Sequence, residues 1–388
     1  MFSPTPTRLA LPDDDAALDA LLDSLPEMSA VFVLELGEQE QQPYLARCAN
    51  LRRRAKRVLR PASAGSKSLS LRGIAREAIY WPVGSALEAN LILLEQARNR
   101  FPSRYRRMLR LRFPSYIRLL RSNRFPRAQV TQHPGDTDST FGPFLYRTQA
   151  EEFLGKALDQ FQIRRCDEEL SPAPEHPGCI YGEMKSCLRP CQAAVSDERY
   201  REEAIGFLEY LASGGESIRG LLERQRAQAS DNLDFELAAR LHKRLQKLDE
   251  CWRPANDFLG LLDGFHGVAT TCCTEAGFVT LWPVWEGTLR PGITLALAAL
   301  QSKEIAKVLE TSANSRREES PETNRELLAV LTKWKHSSWC DGEWVPIEAP
   351  DRPPARKIAN AAKRVHAARF GGSISAEPTD GAHSLKES

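Results

Sequence analysis

Four cysteines in one short stretch constrain the fold of this chain more than any other feature of its sequence. Cys166, Cys179, Cys187 and Cys191 lie within 26 residues and are separated by twelve, seven and three residues. In a compartment that keeps thiols reduced, cysteines grouped in this way are typical of a bound metal or cluster and not of disulfides. A tetrahedral zinc ion would use the same four ligands. The spacing therefore predicts a loop region that is organised around a metal.

The rest of the sequence is typical of a cytoplasmic protein. The first residues, MFSPTPTRLALPDDDAA, lack the basic and then apolar order of a signal peptide, and the sequence contains no run of about 18 apolar residues. We therefore expect a cytoplasmic protein without membrane contact. The other five cysteines show no ligand spacing and are predicted to be ordinary core or surface residues: Cys48, Cys251, Cys272, Cys273 and Cys340.

Positive charge is concentrated in one part of the chain. The segment from Arg47 to Arg127, called the basic segment below, contains 21 Lys and Arg residues and three acidic residues, whereas the whole chain has a net charge of +2. Such a field attracts a phosphate backbone through counterion release, although a solvated basic face is the alternative. Arginine outnumbers lysine and is interleaved with aromatic residues, which favours nucleic acid. These aromatics are Phe101, Tyr105, Phe113, Tyr116 and Phe125. The predicted DNA contacts are Arg52, Arg53, Arg54, Arg104, Arg106, Arg107 and Arg110.

Local patterns predict a β-hairpin followed by helices in the first part of the chain. Ala30 to Leu36 and Pro43 to Cys48 have the composition of two strands joined by the polar turn GEQEQQ. Asn50 is a candidate cap for a helix through LRRRAKRVLR, and the stretch PASAGSKS after it is predicted to be a loop. A strand, AIYWPV, and a helix from Ser85 to about Arg100 come next. These elements together indicate a small mixed α/β domain.

The later patterns extend this to an α+β protein. SYIRLL, RAQVT and STFGPFLY are predicted strands, and a helix is predicted from Thr148 to Phe161. From Ser196 the pattern becomes helical, with a helical hairpin that turns at Asp231-Asn232 and ends near Trp252. Strand-like FVTLWPVW and GITLAL, followed by helical segments, indicate a small α+β piece, and a basic tail with about twenty disordered residues is expected at the end.

Residues of the predicted hairpin and the helix after it follow a known order. Ala30-Val31-Phe32 lie in the first strand, Tyr44-Leu45-Ala46 lie in the second, and Asn50-Leu51-Arg52-Arg53-Arg54 follow. This order resembles the GIY-YIG nuclease domain of the UvrC family. The resemblance implies that Tyr44 is the tyrosine of the second motif and that Arg54 is the arginine that stabilises phosphoryl charge.

Two other positions depart from the family pattern. Phe32 stands where the family has the tyrosine of the first motif, so a hydroxyl is lost. When Pro102 is matched to the family proline, the metal-binding glutamate falls on Leu93. A leucine cannot ligate a hard divalent cation, which takes oxygen ligands. The resemblance therefore implies a degraded nuclease site, and the alternative is a shifted register that uses Glu88 or Glu95.

The cysteine region and the helical hairpin carry the same resemblance. The cysteines in RRC, PGC, KSC and RPC resemble the UvrC cysteine region, which implies a [4Fe-4S] cluster on the four thiolates, with zinc as the alternative. Asn232-Leu233-Asp234-Phe235-Glu236, followed by LAARLHKRLQKLDE, is similar to the UVR motif, which implies docking on UvrB. A stripe at helical spacing also suits internal packing. The implied partner contacts are Phe235, Ala238, Leu241 and Leu245.

The likeness becomes weak after Trp252. Only 136 residues follow, and they contain no clustered Asp/Asp/His pattern of the family's RNase H-like endonuclease, so we expect a shortened relative without that domain or its helix-hairpin-helix motifs. The predicted boundaries are 1–29 for an N-terminal extension, 30–104 for the degenerate GIY-YIG-like domain, 105–195 for the basic strands and cysteine region, 196–252 for the helical region with the UVR hairpin, 253–350 for a small linker-like α+β domain and 351–388 for the tail.

The expected function follows from these parts. We expect a DNA-binding, UvrC-like component of nucleotide excision repair that associates with UvrB and makes no incision of its own. One alternative is a single-incision GIY-YIG endonuclease that uses Tyr44, Arg54, a relocated carboxylate and Mg²⁺ or Mn²⁺. Another is an inhibitor that competes with full-length UvrC for UvrB.

Overall fold

A four-stranded antiparallel sheet with helices on both faces forms the first unit of the chain. The computed structural model of the protein describes residues 5–37, 42–60, 70–135, 139–253, 257–315 and 320–371. The elements of the first unit are β1 (Thr7–Ala10), α1 (Asp15–Ser24), β2 (Ala30–Leu36), β3 (Tyr44–Cys48), α2 (Leu51–Leu59), β4 (Ala75–Pro82) and α3 (Ala86–Arg100). The strand order is β1-β4-β2-β3. Helices α1 and α2 pack on one face of the sheet, and α3 packs on the other.

The predicted β-hairpin is confirmed. Strands β2 and β3 pair antiparallel, with Phe32 opposite Ala46. Asn50 caps α2, because its side chain accepts a hydrogen bond from the Arg53 amide at 2.9 Å. Alternation along a strand and cap chemistry are local properties, so the sequence pattern sufficed for both. Residues 38–41 of the predicted turn, and the whole predicted loop at 61–68, lie outside the described residues.

The N-terminal extension predicted for residues 1–29 is part of the first unit. Thr7 in β1 pairs with Tyr80 in β4. Leu18 and Leu22 on α1 are buried in the same core as Phe32. The boundary drawn at residue 29 is therefore corrected, because the strand that completes the pairing of β1 lies far away in the sequence.

A second antiparallel sheet belongs to the middle of the chain. Its elements are α4 (Tyr105–Met108), β5 (Ser115–Leu119), β6 (Ala128–Thr131), β7 (Thr140–Phe144), α5 (Arg147–Leu158), α6 (Ile180–Glu183), α7 (Asp197–Ala212) and, after the helical hairpin, β8 (Gly260–Leu261). The strand order is β6-β5-β7-β8. The core beneath this sheet is strongly aromatic, with Phe141 stacked on Phe153 at 5.5 Å between ring centroids and Trp252 edge-on to both.

The predicted helical hairpin is present after α7. It consists of α8 (Glu216–Asp231) and α9 (Phe235–Trp252), and the turn between them follows Asp231 as the sequence predicts. Asp234 caps α9, since its side chain accepts a hydrogen bond from the Leu237 amide at 3.0 Å. This cap ends the turn and starts the second helix at the aromatic residue of the motif.

A third sheet and three helices form the C-terminal unit. Its elements are β9 (Gly267–Cys272), β10 (Phe278–Trp285), β11 (Thr288–Leu289), β12 (Ile293–Ala296), α10 (Ser302–Asn314), α11 (Pro321–Lys335), β13 (Gly342–Pro346) and α12 (Ala355–Phe370). The strand order is β11-β10-β9-β13, and β12 also pairs with β10. The α+β class expected from the sequence is confirmed by these three antiparallel sheets and their helices.

Helix α12 corrects the prediction of a tail from residue 351 onward. Ile358, Ala362 and Val365 on α12 are buried in the core of the C-terminal unit with Val268 of β9. The sequence pattern of this helix is dominated by alanine and basic residues, so its narrow apolar face was missed. Residues 372–388, which include most of the stretch predicted to be disordered, lie outside the described residues.

Helix α3 joins the first unit to the C-terminal unit. Leu87, Leu91 and Leu94 of α3 pack in one core with Trp282 and Trp334 of the C-terminal unit. Residues 253–350, predicted as a linker-like domain, thus share a hydrophobic core with the first unit. Among the helices of the described ranges, none is long and apolar enough to cross a membrane.

Candidate functional site

Tyr44 and Arg54, the two residues predicted to remain from a nuclease site, contact each other directly. Arg54 Nη2 donates a hydrogen bond to the Tyr44 hydroxyl. The guanidinium carbon of Arg54 also lies 5.5 Å from the centroid of the Tyr44 ring. Phe32 lies edge-on to the same ring with 6.3 Å between centroids, and it is fully buried. The pair offers a hydroxyl and a cation, which suit a phosphate, whereas Phe32 offers no polar group.

Leu93 lies on the other face of the first sheet. Side chains alternate between the faces of a strand, so Phe32 points toward α1 and α2 while Val31 and Val33 point toward α3. Leu93 packs with these two valines. The sheet therefore separates Leu93, the position matched to the family glutamate, from the Tyr44–Arg54 pair.

The alternative carboxylates belong to α3 as well. Glu88 Oε2 accepts a hydrogen bond from the Gly84 amide at 2.7 Å, just before the start of the helix. Burial raises the pKa of the Glu88 carboxyl. Glu88 thus accepts a hydrogen bond from a backbone N–H at the N-terminal end of α3, on the side of the sheet away from Tyr44. Glu95 is about two turns further along the same helix. Neither position supports a shifted register that would bring a carboxylate to the Tyr44–Arg54 pair.

Acidic side chains from other parts of the chain pair with much of the basic segment. Five acidic residues between Asp13 and Glu27, on α1 and just beside it, form ion pairs with cations of the segment. These cations are Arg76, Arg72, Arg60, Lys56 and Arg52. Five further cations of the segment pair with acids beyond both its ends: Arg98, Arg100, Arg106, Arg124 and Arg127. The charge concentration seen in the sequence is therefore reduced in three dimensions.

Two of the seven predicted DNA contacts are occupied by such pairs. Arg52 donates hydrogen bonds to Glu27 and to the Leu25 carbonyl, each at 2.6 Å. Arg106 Nε donates to the buried carboxylate of Glu326 at 2.7 Å. Both arginines hold the fold together, and their assignment as DNA contacts is corrected.

Of the other five predicted arginines, one contacts a tyrosine and four have exposed side chains. Arg54 contacts Tyr44, as described. Arg53, Arg104, Arg107 and Arg110 are exposed. Arg104 lies over the Phe101 ring at 5.0 Å, which keeps its charge accessible to solvent. Arg57 and Arg112, which were not singled out from the sequence, are exposed in the same two places.

The aromatic residues of the basic segment are not a stacking surface. Phe101, Tyr105, Tyr116 and Phe125 are buried in hydrophobic cores, and the ring of Phe113 is covered by the Arg325 guanidinium at 4.7 Å. The support that these aromatics gave to a nucleic-acid surface is therefore removed. Any nucleic-acid contact of this segment must depend on its exposed arginines.

The four grouped cysteines come together on the loops between α5 and α7. Burial raises the pKa of the Cys187 thiol, and the nearby thiols of Cys166, Cys179 and Cys191 raise it further. Burial also raises the pKa of Cys191, with Cys179 and Cys166 adding to the effect. These influences indicate that the four thiols lie in one neighbourhood of the fold, as the sequence spacing predicts. The other five cysteines lie apart from this group.

Polar groups of the backbone and Arg164 surround these thiols. The Arg189 amide donates to Cys187 Sγ at 3.4 Å, and Arg164 Nη1 lies 3.7 Å from Cys166 Sγ. Arg164 is itself buried and donates to the Phe125 and Glu168 carbonyls at 2.9 Å and 2.7 Å. Over the described ranges, no three His, Cys, Asp or Glu side chains stand at the spacing of a formed metal site. The donor set of four thiols with N–H donors suits an iron–sulfur cluster or zinc.

The predicted partner-binding stripe is partly internal. Leu241 and Leu245 on α9 are buried against Leu222 and Ala229 of α8, and Ala238 is half-buried beside them. Leu241 and Leu245 are therefore core residues of the hairpin, which corrects their assignment as partner contacts. The internal packing that the helical spacing allowed explains this part of the stripe.

The tip of the hairpin is apolar and exposed. Phe235 has 67% of its surface exposed, and Leu233 has 72% exposed. Leu233 adopts a positive φ of 58°, which directs the turn between the helices. The sequence singled out Phe235, but it could not show Leu233 as a surface residue because helical periodicity does not extend into a turn.

Two family models match adjoining parts of the chain. The model described as UvrC/Cho excinuclease, middle domain matches residues 115–209, and the model described as UvrB/uvrC motif matches residues 216–250. The first match contains β5, β6 and β7 of the second sheet, the four grouped cysteines and most of α7. The second contains α8 and most of α9.

The chain is also similar to curated proteins named UvrABC system protein C. It is 26% identical to that of Haloarcula marismortui over 262 residues, which are 66% of this chain and 41% of the relative. It is 30% identical to that of Alcanivorax borkumensis over 208 residues, or 52% of this chain and 33% of the relative. The chain thus spans 41% or less of the length of these relatives. No solved structure matches it significantly. The two family models and these relatives together show that the chain is similar to proteins of the UvrC family.

Proposed function

We propose that this chain is a DNA-binding component of nucleotide excision repair that associates with UvrB and makes no incision of its own. The exposed apolar tip of the UVR hairpin carries this proposal. Large apolar side chains that are exposed side by side on a folded protein commonly mark an interface. Phe235 and Leu233 are the two most exposed large apolar residues of the hairpin. Their place within the match to the UVR motif supports UvrB as the partner.

DNA binding is supported by the arginines that remain exposed. Arg104, Arg107 and Arg110 lie within a short stretch around α4, and Arg53 and Arg57 lie on the outer side of α2. Cations in this arrangement contact phosphates without reading bases. The Tyr44–Arg54 pair can add a hydrogen-bonded phosphate contact near the start of α2.

The lack of incision is supported by the chemistry around that pair. Phosphodiester hydrolysis needs an activated nucleophile and stabilisation of phosphoryl charge, for which a carboxylate-bound metal is normally central. Phe32 has no hydroxyl, and Leu93 and Glu88 belong to the opposite face of the sheet. The rival function, a single-incision endonuclease with Mg²⁺ or Mn²⁺, would need a carboxylate from another source.

A [4Fe-4S] cluster is the cofactor we propose for the cysteine group. Cys166, Cys179, Cys187 and Cys191 would hold it, while Arg164 and the Arg189 amide would donate hydrogen bonds to two of the sulfurs. Such a cluster supplies a rigid anchor for loops and a redox-active centre. Zinc on the same four thiolates is the alternative.

Association with UvrB is the experiment that tests the proposal. Purified chain and UvrB should form a complex, and Phe235→Ala should weaken it by about 30-fold, because an aromatic anchor contributes roughly 2 kcal/mol. Phe278→Ala, which truncates another exposed aromatic on the C-terminal unit, is the matched control and should bind normally. Equal affinity of all three proteins for UvrB would reject the hairpin tip as the docking surface.

Incision assays then separate the alternatives. With UvrB, ATP and Mg²⁺ or Mn²⁺, we expect no nicking of damaged duplex DNA by the chain. Nicking that disappears in Arg54→Ala would replace the proposal with the single-incision enzyme. Loss of incision by full-length UvrC when the chain is added, restored by Phe235→Ala, would identify the inhibitor that competes for UvrB.

A further inference from the structure

Helix α12 carries positive charge outside the basic segment. It contains five Lys and Arg residues and no Asp or Glu. Its apolar side, with Ile358, Ala362 and Val365, is buried in the core of the C-terminal unit. Because successive residues of a helix are rotated by about 100°, the basic residues gather on the opposite side. They are Arg356, Lys357, Lys363 and Arg364.

Three of these four cations have no acidic partner. Arg356, Lys357 and Lys363 are exposed, and over the described part of the chain none of them forms an ion pair. Arg364 pairs with Glu343 at 2.6 Å. On α2, by comparison, Arg52 and Lys56 pair with acids around α1. The charge on α12 is therefore available to a ligand.

The chemistry of this face selects the ligand. Asn360, Ala367 and Ala368 are exposed beside the cations, and the one large apolar side chain, Phe370, lies at the C-terminal end of the helix with its ring against His366 and Arg369. A protein partner would need a large side chain as an anchor, and a membrane surface would need apolar side chains to insert. A row of cations along the helix, with a single aromatic ring at its end that already packs on neighbouring side chains, suits the phosphates of a nucleic-acid backbone, where counterion release supplies the affinity.

The C-terminal end of α12 adjoins the first unit. Arg369, at the end of α12, donates a hydrogen bond from Nη1 to the Gly84 carbonyl just before α3. The cleft beside this contact is lined by Arg47, Trp339 and Arg369. Arg47, where the basic segment begins, lies with its guanidinium 5.3 Å from the Trp339 ring centroid. The end of α12 thus contacts the first unit close to the start of the basic segment.

We propose that the exposed face of α12, with Arg356, Lys357 and Lys363, is a second binding site for the nucleic-acid backbone. The inference deepens the proposed function and rests on its DNA-binding part. Contacts of this kind neutralise phosphates and position the duplex, and they carry no base preference. The C-terminal unit thereby adds its own phosphate contacts to those proposed for the first unit.

Salt-dependent binding of duplex DNA by the full chain tests this site. The variant Arg356→Gln/Lys357→Gln/Lys363→Gln should flatten the slope of log affinity against log salt by about two units or more, since each phosphate contact contributes about 0.9. Glutamine is a good helix former, so α12 should persist, which circular dichroism can check. The control Lys303→Gln/Lys307→Gln/Lys333→Gln removes three exposed cations of α10 and α11 and should keep the slope of the unmodified chain.

The remaining outcomes distinguish this site from the proposed function itself. A slope in the α12 variant equal to that of the unmodified chain would overturn the α12 site, while DNA binding by the chain would stand. Equal flattening in the control would show that net charge alone matters, which also overturns it. Absence of salt-dependent DNA binding by the unmodified chain would reject the DNA-binding function. Loss of binding to polyglutamate without loss of DNA binding in the α12 variant would assign the face to an acidic protein partner.

Discussion

The carboxylate of Glu326 accepts a hydrogen bond from Arg106 Nε at 2.7 Å, although the two residues lie 220 positions apart in the chain. The Tyr105 hydroxyl donates to the same carboxylate at 2.6 Å, and Arg98 pairs with it as well. Glu326 is fully buried on α11, whereas Arg106 is partly exposed. This cluster ties the basic segment to the C-terminal unit, and it turns a predicted DNA contact into a structural residue.

Removing the acceptor of this cluster should destabilise the protein. In Glu326→Ala, the side chains of Arg98, Arg106 and Tyr105 lose their common partner. Removing one partner of a buried ion pair should lower the free energy of unfolding by about 3 kcal/mol, because the arginines are partly exposed and stay hydrated. Urea unfolding should report a lower midpoint for the variant. Glu322→Ala, which removes an exposed partner of Arg106, should change the free energy of unfolding by less than about 1 kcal/mol. Similar losses in both variants would contradict a special role of the buried carboxylate.

The stability supplied by Glu326 should depend on pH in the acid range. Burial alone would raise the pKa of this carboxyl, but hydrogen bonds from Tyr105, Arg106 and Arg98 hold it below its ordinary value of 4.5. A carboxyl with a lowered pKa stabilises the fold above its unfolded-state pKa, and the contribution is lost as pH falls through the folded-state pKa. The difference in unfolding free energy between the unmodified chain and Glu326→Gln should therefore be largest above about pH 5 and shrink below it. A difference that stays constant between pH 3 and 7 would disprove this linkage.

The two classes of residue on the UVR hairpin should respond differently to truncation. Leu245→Ala leaves a cavity between α8 and α9 and should cost about 2–3 kcal/mol of stability. Phe235→Ala removes a side chain that is 67% exposed and should change stability by less than about 0.5 kcal/mol. Thermal unfolding of both variants, followed by helical circular dichroism, separates the two effects. A large loss of stability in Phe235→Ala would place this residue in the core.

The separation of Leu93 from Tyr44 leads to a test of the nuclease site. Phe32→Tyr combined with Leu93→Glu introduces the two missing family groups, yet the carboxylate would lie across the sheet from the Tyr44–Arg54 pair. We therefore expect no metal-dependent nicking of duplex DNA by this double variant. Nicking that requires Mg²⁺ or Mn²⁺ and disappears in Arg54→Ala would show that the sheet does not keep the positions apart.

The cysteine group should hold metal in the purified protein. Anaerobic preparations should be brown and contain about four irons per chain. Cys187→Ser should lose the metal and part of the surrounding fold, because binding energy at such a site is partly folding energy. Cys340→Ser, which changes a cysteine outside the group, should retain the iron. A colourless protein with one zinc ion would replace the cluster with the tetrahedral alternative.

Local patterns predicted much of this protein correctly. The β2–β3 hairpin, the Asn50 cap and the helical hairpin depend on residues only a few positions apart. The cysteine spacing and the UVR motif are equally local, and they carried the resemblance to the UvrC family that the family models confirm. Alternation, capping and turn preference act within a few residues, so a single sequence contains them.

Tertiary structure alone decided which of these residues are free to act. Sequence showed 21 cations in one segment, but only the fold brought Asp13 to Glu27 against them and left Arg104, Arg107 and Arg110 exposed. It also assigned Leu245 to a core and Phe235 to the surface, although both lie on one helical stripe. The physical reason is that ion pairing and burial join side chains from distant parts of the chain, whereas sequence patterns report the preferences of neighbours.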